Sequence, residues 1–240
     1  MIYIERIKNT RLQKDRNVYP YNIPSILNLE ELMFRKSVTF FIGENGSGKS
    51  TLAEALAINA GFNPEGGSRN FNFRTHDSHS ELYYGIKLIR GAYRNKDGFF
   101  LRAESFYNVA SKVDNILDHD QIMRNYGGSL HECSHGESFL ALVKNRFSGN
   151  GLYIFDEPES ALSINSQFSL LIEMKRLVGN KSQFIIVTHS PILMAYPDAD
   201  IYQVSDNGIE LIDYENTEQY QLTKYFLENH KKMIKELGLL

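Results

Sequence analysis

With 240 residues, 42% of them hydrophobic, the chain is long enough for one large α/β domain, or a domain with a small lobe, which argues for a globular protein. A net charge of −3, from 26 basic and 29 acidic side chains, excludes an overall pull toward phosphate backbones or anionic membranes, so any nucleic-acid contact would have to be local. The single Cys133 cannot close an internal disulfide, no run of about 18 apolar residues is present, and the N-terminal MIYIERIKNTRL alternates apolar with charged residues; together these predict a cytoplasmic protein with no membrane span and no signal peptide.

In chain order, IYIERIK (2–8) predicts a strand, and SVTFFI (37–42) predicts a second that ends abruptly at Gly43. STLAEALAINA (50–60) follows as an Ala/Leu-rich helix closed by Gly61, and GFNPEGGSRNFNF (61–73) reads as loop. The stretch 81–104 predicts two strands forming a hairpin about the Asn95-Lys96-Asp97-Gly98 turn. Helical patterns cover about 105–118 and 137–147. GLYIFDEP (151–158) reads as a buried strand, a helix is predicted over about 164–178, and QFIIVTHS (183–190) reads as another buried strand. IYQVSDNGIELI (201–212) predicts a hairpin around Asp206-Asn207-Gly208, and a terminal helix begins near 217. No low-complexity linker, fixed-period repeat or heptad run interrupts this order. Strands alternating with helices, with near-continuous apolar runs at 38–42, 152–155 and 184–187, point to an α/β fold whose parallel-containing sheet is covered on both faces.

The stretch GENGSGKST, Gly43, Glu44, Asn45, Gly46, Ser47, Gly48, Lys49, Ser50 and Thr51, satisfies G-x-x-x-x-G-K-[ST] between a strand and a helix. Its glycines let backbone N–H groups wrap phosphate oxygens at φ values that a Cβ resists. Lys49 supplies charge for the β and γ phosphates, and the Ser50 hydroxyl suits Mg²⁺. A Gly-rich turn without ligand is the bland alternative, and the strand–helix context argues against it.

A phosphate loop needs a second strand that brings a carboxylate to the metal. Leu152 to Phe155 carry Asp156 to a strand end, where it can hold Mg²⁺ directly or through water, and Glu157 is placed to polarise an attacking water as general base. Two adjacent acids before Pro158 would otherwise read as a solvated turn. His189 ends the next apolar strand, where it can donate to a γ-phosphate, although most lone histidines have no such role.

HECSHGES (131–138) has several readings. A hydrolase elbow lacks the second Gly of G-x-S-x-G, and zinc held by His131, Cys133 and His135 lacks a fourth ligand. Ser134 to Glu137 is S-x-x-E, a capping box opening a helical pattern of Phe139, Leu140, Leu142, Val143 and Phe147, and such an N-terminus is anion-binding equipment.

The order and spacing of these motifs resemble those of ATP-binding cassette (ABC) ATPases over roughly residues 1–212. The resemblance implies a single domain over 1–240 with the P-loop NTPase fold of ABC type. This is a mixed sheet with flanking helices, a small antiparallel β region, an inserted helical lobe at roughly 105–147 carrying the signature, and a C-terminal helix at roughly 217–237. It implies ATP hydrolysis with ATP and Mg²⁺ as cofactors, in an ATP-dependent head-to-tail homodimer. Cys133-Ser134-His135-Gly136-Glu137 would then be the signature, with Ser134, Gly136 and Glu137 meeting the nucleotide bound at Lys49 of the other subunit. His135 replaces the family's first Gly, and Ser163 in ESALS (159–163) replaces the usual Asp. Glu104 lies in the region of the family's metal-sensing Gln, and Tyr19 or Tyr21 is placed to stack on adenine, with ordinary packing of a Tyr/Pro loop as the alternative.

Glu137 in place of Gln, the phosphate loop and the closing THSPILMAYPDADIY further resemble soluble predicted ATPases that share a branch with DNA-repair and chromosome-maintenance ATPases. Too few residues separate Ser50 from Ser134 for a long coiled-coil arm. A cytosolic ATP-driven switch for an unidentified protein or nucleic-acid partner is therefore expected, and the energy subunit of an ABC membrane transporter is the alternative. Lys87, Arg90, Arg94, Lys96 and Arg102, interleaved with Tyr93, Phe99 and Phe100, mark the expected 81–104 hairpin as a candidate basic surface, against the plainer reading of a solvated edge.

Overall fold

The computed structural model describes residues 1–12, 15–68, 80–103 and 135–239. Glu104, Ser134 and the helical pattern expected at 105–118 lie outside these residues.

Two sheets organise the described chain. A small antiparallel sheet, order β2-β1-β4, joins β1 (Ile4–Asn9), β2 (Glu31–Met33) and β4 (Ile86–Arg90). The larger, order β5-β6-β7-β3-β8-β9, contains β3 (Val38–Ile42), β5 (Asp97–Arg102), β6 (Gly151–Asp156), β7 (Gln183–Val187), β8 (Asp200–Ser205) and β9 (Gly208–Leu211). All its pairings are parallel except β8 with β9, which turn back on each other at Ser205–Gly208.

The central strands are apolar on both sides because both sides are covered. Phe40, Tyr153, Phe155, Phe184 and Ile186 enter one core, whereas Phe41, Leu152, Ile154, Ile185 and Val187 enter the other, the period-2 alternation of a pleated strand. The first core is closed by α4 (His135–Ala141), the π-helical turn Leu142–Arg146, α5 (Ile164–Gly179) and α6 (Pro191–Met194), through Phe139, Val143, Leu170, Met174 and Leu193. The second is closed by α2 (Lys49–Ala60) and the small sheet. Leu52, Ala53, Ala55, Leu56, Ala57 and Ala60 of α2 are all buried, so this helix has no polar stripe: it lies between the two sheets and is enclosed rather than amphipathic. Gly61 ends it in the left-handed conformation at φ 92°. The short helices α1 (Pro24–Leu27) and α3 (Leu82–Gly85) and the long α7 (Glu218–Glu236) complete the chain.

The expected hairpin at 81–104 is not formed. β4 pairs with β1 in the small sheet, whereas β5 runs parallel to β6 at the edge of the large one. Phe99, Phe100 and Leu101 are apolar in succession and buried, as a strand covered on both faces requires, and this outweighs the turn character of Asn95–Gly98. The basic segment is therefore divided: Arg102 is engaged in the interior, Arg90 donates to the Asn59 carbonyl (3.2 Å), and Lys87, Arg94 and Lys96 are exposed.

Candidate functional site

The C-terminal ends of β3, β6 and β7 converge on one rim, as parallel pairing of Phe41 with Val187 and of Asp156 with Val187 dictates. The loop after β3 is the sequence-predicted phosphate loop. Gly43, Gly46 and Gly48 take φ of 140°, 81° and 97°, so three of its turns need residues without a Cβ. At Gly43 a Cβ would stand 2.1 Å from the Val204 carbonyl oxygen of β8. The loop is braced by Ser25, whose hydroxyl donates to the Ser47 carbonyl at 2.5 Å.

Lys49, at the start of α2, is buried and donates to the Gly43 and Glu44 carbonyls at 2.9 and 2.6 Å, which holds its ammonium across the mouth of the loop. Burial lowers its pKa below the ordinary lysine value, opposed by Glu157, Asp156, Glu159 and Glu44 nearby. One residue on, the Ser50 hydroxyl donates to Asp156 Oδ1 at 2.9 Å. A hydroxyl and a carboxylate side by side, next to a cradle of N–H groups, form a hard oxygen donor pair. That fits a Mg²⁺ ion whose remaining ligands are phosphate oxygens and water. Among the described residues there is no group of three or more His, Cys, Asp or Glu that could hold a metal by itself, so the pair would rely on such outside ligands.

Glu157 follows Asp156 in the left-handed region (φ 51°, ψ 52°), a conformation that a residue with a Cβ adopts at a cost and that aims its carboxylate into the cleft. Its N–H donates to the Val187 carbonyl (3.0 Å), tying it to the end of β7. His189, two residues past that end, places Nε2 3.7 Å from Glu157 Oε1, and its own N–H donates to Glu159 Oε1. His189 Nε2 is buried without a hydrogen bond, as is Glu159 Oε2. The backbone there is fixed by Ser190, which caps α6 by accepting from the N–H groups of Ile192 and Leu193 and donates to Gln167 Oε1 at 2.6 Å.

These groups border a cleft of about 550 Å³ lined by Tyr19, Ile23, Asn45, Gly46, Gly48, Lys49, Ser50, Thr51 and Glu157. The two tyrosines of the YPYNIP loop separate clearly. Tyr21 is buried and donates to the Glu81 carbonyl, so it is a core residue, whereas Tyr19 is 67% exposed on the cleft wall.

Ser134, Cys133 and His131 lie outside the described residues. Glu137 is exposed in the first turn of α4, and Gly136 packs against the turn Pro158–Ala161 so closely that a Cβ would stand 2.9 Å from the Ala161 carbonyl oxygen. Ser163 caps α5, accepting from the Ser166 N–H at 3.2 Å, which accounts for a short hydroxyl residue there. Two further polar residues adjoin the site that motif reading does not assign to it: Arg102, at the end of β5, lies 3.5 Å from Asp156, and Glu54, one helical turn after Ser50, pairs with Arg102 at 2.8 Å. The signals available were the charge ending the FFL run and the i, i+4 spacing from Ser50.

The AAA domain family matches residues 21–236. The energy-coupling factor transporter ATP-binding protein EcfA of Methanosarcina acetivorans is 26% identical, with 82% of this chain and 76% of that protein covered. An ABC transporter ATP-binding protein of Methanocaldococcus jannaschii is 24% identical over 77% of this chain, and the chain spans 33% of that protein's length. Among solved structures, a metal-chelate-type ABC transporter in an inward-facing conformation aligns with a TM-score of 0.52 at 14% identity, covering 93% of this chain and 88% of that one. CbiO1 of Clostridium perfringens, part of the ABC transporter complex cbiONQ, aligns over the whole of both chains with a TM-score of 0.50 at 16% identity. At such identities these structures speak for the fold alone. No helix among the described residues is long and apolar enough to cross a membrane.

Proposed function

The chain belongs to the AAA domain family, and on that premise we propose that it is an ATP hydrolase of the ABC type that works as an ATP-driven switch through a head-to-tail homodimer. The observation that carries this reading is the meeting of Ser50 and Asp156 at 2.9 Å beneath the phosphate loop, with Glu157 and His189 on the same rim. In this reading Gly43–Thr51 hold the triphosphate and Lys49 leaves its two carbonyl partners for the β and γ phosphates. Ser50 and Asp156 hold Mg²⁺, which would neutralise phosphate charge. Glu157 takes the proton of the attacking water, and His189 donates to the γ-phosphate oxygens. Tyr19 stacks on the adenine. Ser134, Gly136 and Glu137 of a second copy close the site from outside. The single domain spans the chain, and a cytoplasmic location follows from the class of protein proposed.

Two variants test the site. Lys49→Ala should weaken ATP binding by about a hundredfold or more, since it removes charge-assisted hydrogen bonds worth about 1.5–3 kcal/mol each. Glu157→Gln should bind ATP as the parent does while turnover falls by about 10²–10⁴. Unchanged affinity in the first, or unchanged hydrolysis in the second, would contradict the assignment.

A second reading, the energy subunit of a membrane transporter, is favoured by the names of the relatives, which are transporter ATP-binding proteins. The two readings part on what the Glu157→Gln protein retains from cells in the presence of ATP: a polytopic membrane protein in the transporter case, and a water-soluble protein or nucleic acid in the switch case.

A further inference from the structure

Arg102 closes β5 directly opposite Asp156 in the parallel register of β5 and β6. Its guanidinium lies between two carboxylates, with Nη1 2.8 Å from Glu54 Oε2 and Nε 3.5 Å from Asp156 Oδ2. Both acids are nearly buried, Glu54 at 8% and Asp156 at 6% exposure. Each is also held by its other oxygen: Glu54 Oε1 accepts from the Ser80 N–H at 2.8 Å, and Asp156 Oδ1 accepts from the Ser50 hydroxyl at 2.9 Å. A continuous row therefore runs from the start of α3 through Glu54, Arg102 and Asp156 to Ser50.

The chemistry of the row is uneven. Arginine keeps its charge at any ordinary pH and offers a rigid fork of donors, so Arg102 is a fixed cation beside the carboxylate that the metal would also use. Its charge lies on the Oδ2 side of the carboxylate, while Oδ1 faces Ser50. The same positive charge opposes any cation bound at Oδ1, and Glu54 offsets that opposition from the far side. We propose that Arg102 and Glu54 form an opposed charge pair behind Asp156, Arg102 working against the bound cation and Glu54 offsetting it, the two together setting how tightly the cation is held. This rests on the reading of Ser50 and Asp156 as the metal-holding pair.

The test is the affinity of the nucleotide-loaded protein for Mn²⁺, read from the electron paramagnetic resonance signal of free Mn²⁺ without reference to turnover. Arg102→Gln, which removes a positive charge beside Asp156, should bind Mn²⁺ about tenfold more tightly, and Glu54→Gln, which removes a negative charge there, about tenfold more weakly, as charges at such separations dictate. The double variant should return near the parent value. Arg102→Lys, which keeps the charge and the fold's interior cation, should stay within about twofold of the parent. Divergence of the two single variants supports the proposal; equal affinities, or shifts in the same direction, overturn it. Ser50→Ala separates this from the underlying reading. If Ser50→Ala weakens Mn²⁺ binding while the charge variants do not diverge, the proposal alone fails. If Ser50→Ala leaves Mn²⁺ binding unchanged, the metal reading fails and takes the proposal with it.

Discussion

Glu157 is the residue at which backbone and chemistry meet. It lines the cleft with a left-handed φ of 51°, and its N–H is held by the Val187 carbonyl. Left-handed backbone costs a residue with a Cβ about 1–2 kcal/mol, part of which glycine avoids. Glu157→Gly and Glu157→Ala both lack the carboxylate, so a comparison of the two isolates the backbone. The glycine variant should be the more stable by about 1 kcal/mol, or about 2–4 °C in Tm for a chain of this size, measured by thermal unfolding. Equal Tm values would mean that the conformation carries no strain. At this scale the local motifs were legible in the sequence: Gly43, Gly48, Lys49 and Ser50 occupy fixed positions in one short stretch, and their geometry depends mainly on that stretch. Arg102 was not legible as a site residue, because its partners, Glu54 and Asp156, come from α2 and β6 and meet it only once the strands are in register.

Among the elements, the junction of β3 with the phosphate loop has the least room. The chain must leave β3 beside β8, and a Cβ at Gly43 would stand 2.1 Å from a backbone oxygen that has no freedom to swing aside. Gly43→Ala should therefore cost about 3 kcal/mol of folding stability and abolish ATP binding together, the first measured by denaturant unfolding and the second by nucleotide titration. Retention of both would place the loop elsewhere. The strands and helices around this junction follow the sequence reading closely because long apolar runs and the Gly61 cap are strong signals. The expected hairpin at 81–104 failed for a physical reason. A turn-forming Asn-Lys-Asp-Gly between two apolar runs is compatible with a hairpin, but three consecutive buried apolar residues, Phe99 to Leu101, suit a two-sided parallel strand. The half-exposed β4, by contrast, suits the small antiparallel sheet.

For the molecule as a whole, α2 is the element that joins the phosphate loop to the small sheet, packing on β4 as well as on β6 and β7. The helix is enclosed between the two sheets, so a change felt at Lys49 or Ser50 meets a packed element rather than a solvated one. On the opposite face, Gly136 of α4 is packed against the turn that follows Glu157, so the surface proposed to receive a second copy touches the loop that carries the proposed general base. In the proposed reading ATP is held between Lys49 of one copy and Ser134 of another, so that no single chain would complete the site. Sedimentation of Glu157→Gln with Mg²⁺ and ATP tests it most directly. A species of twice the chain's mass carrying two ATP is expected, absent without nucleotide and absent when Ser134→Arg is added. A Glu157→Gln protein that binds ATP at Lys49 and remains a monomer at micromolar concentration would contradict it.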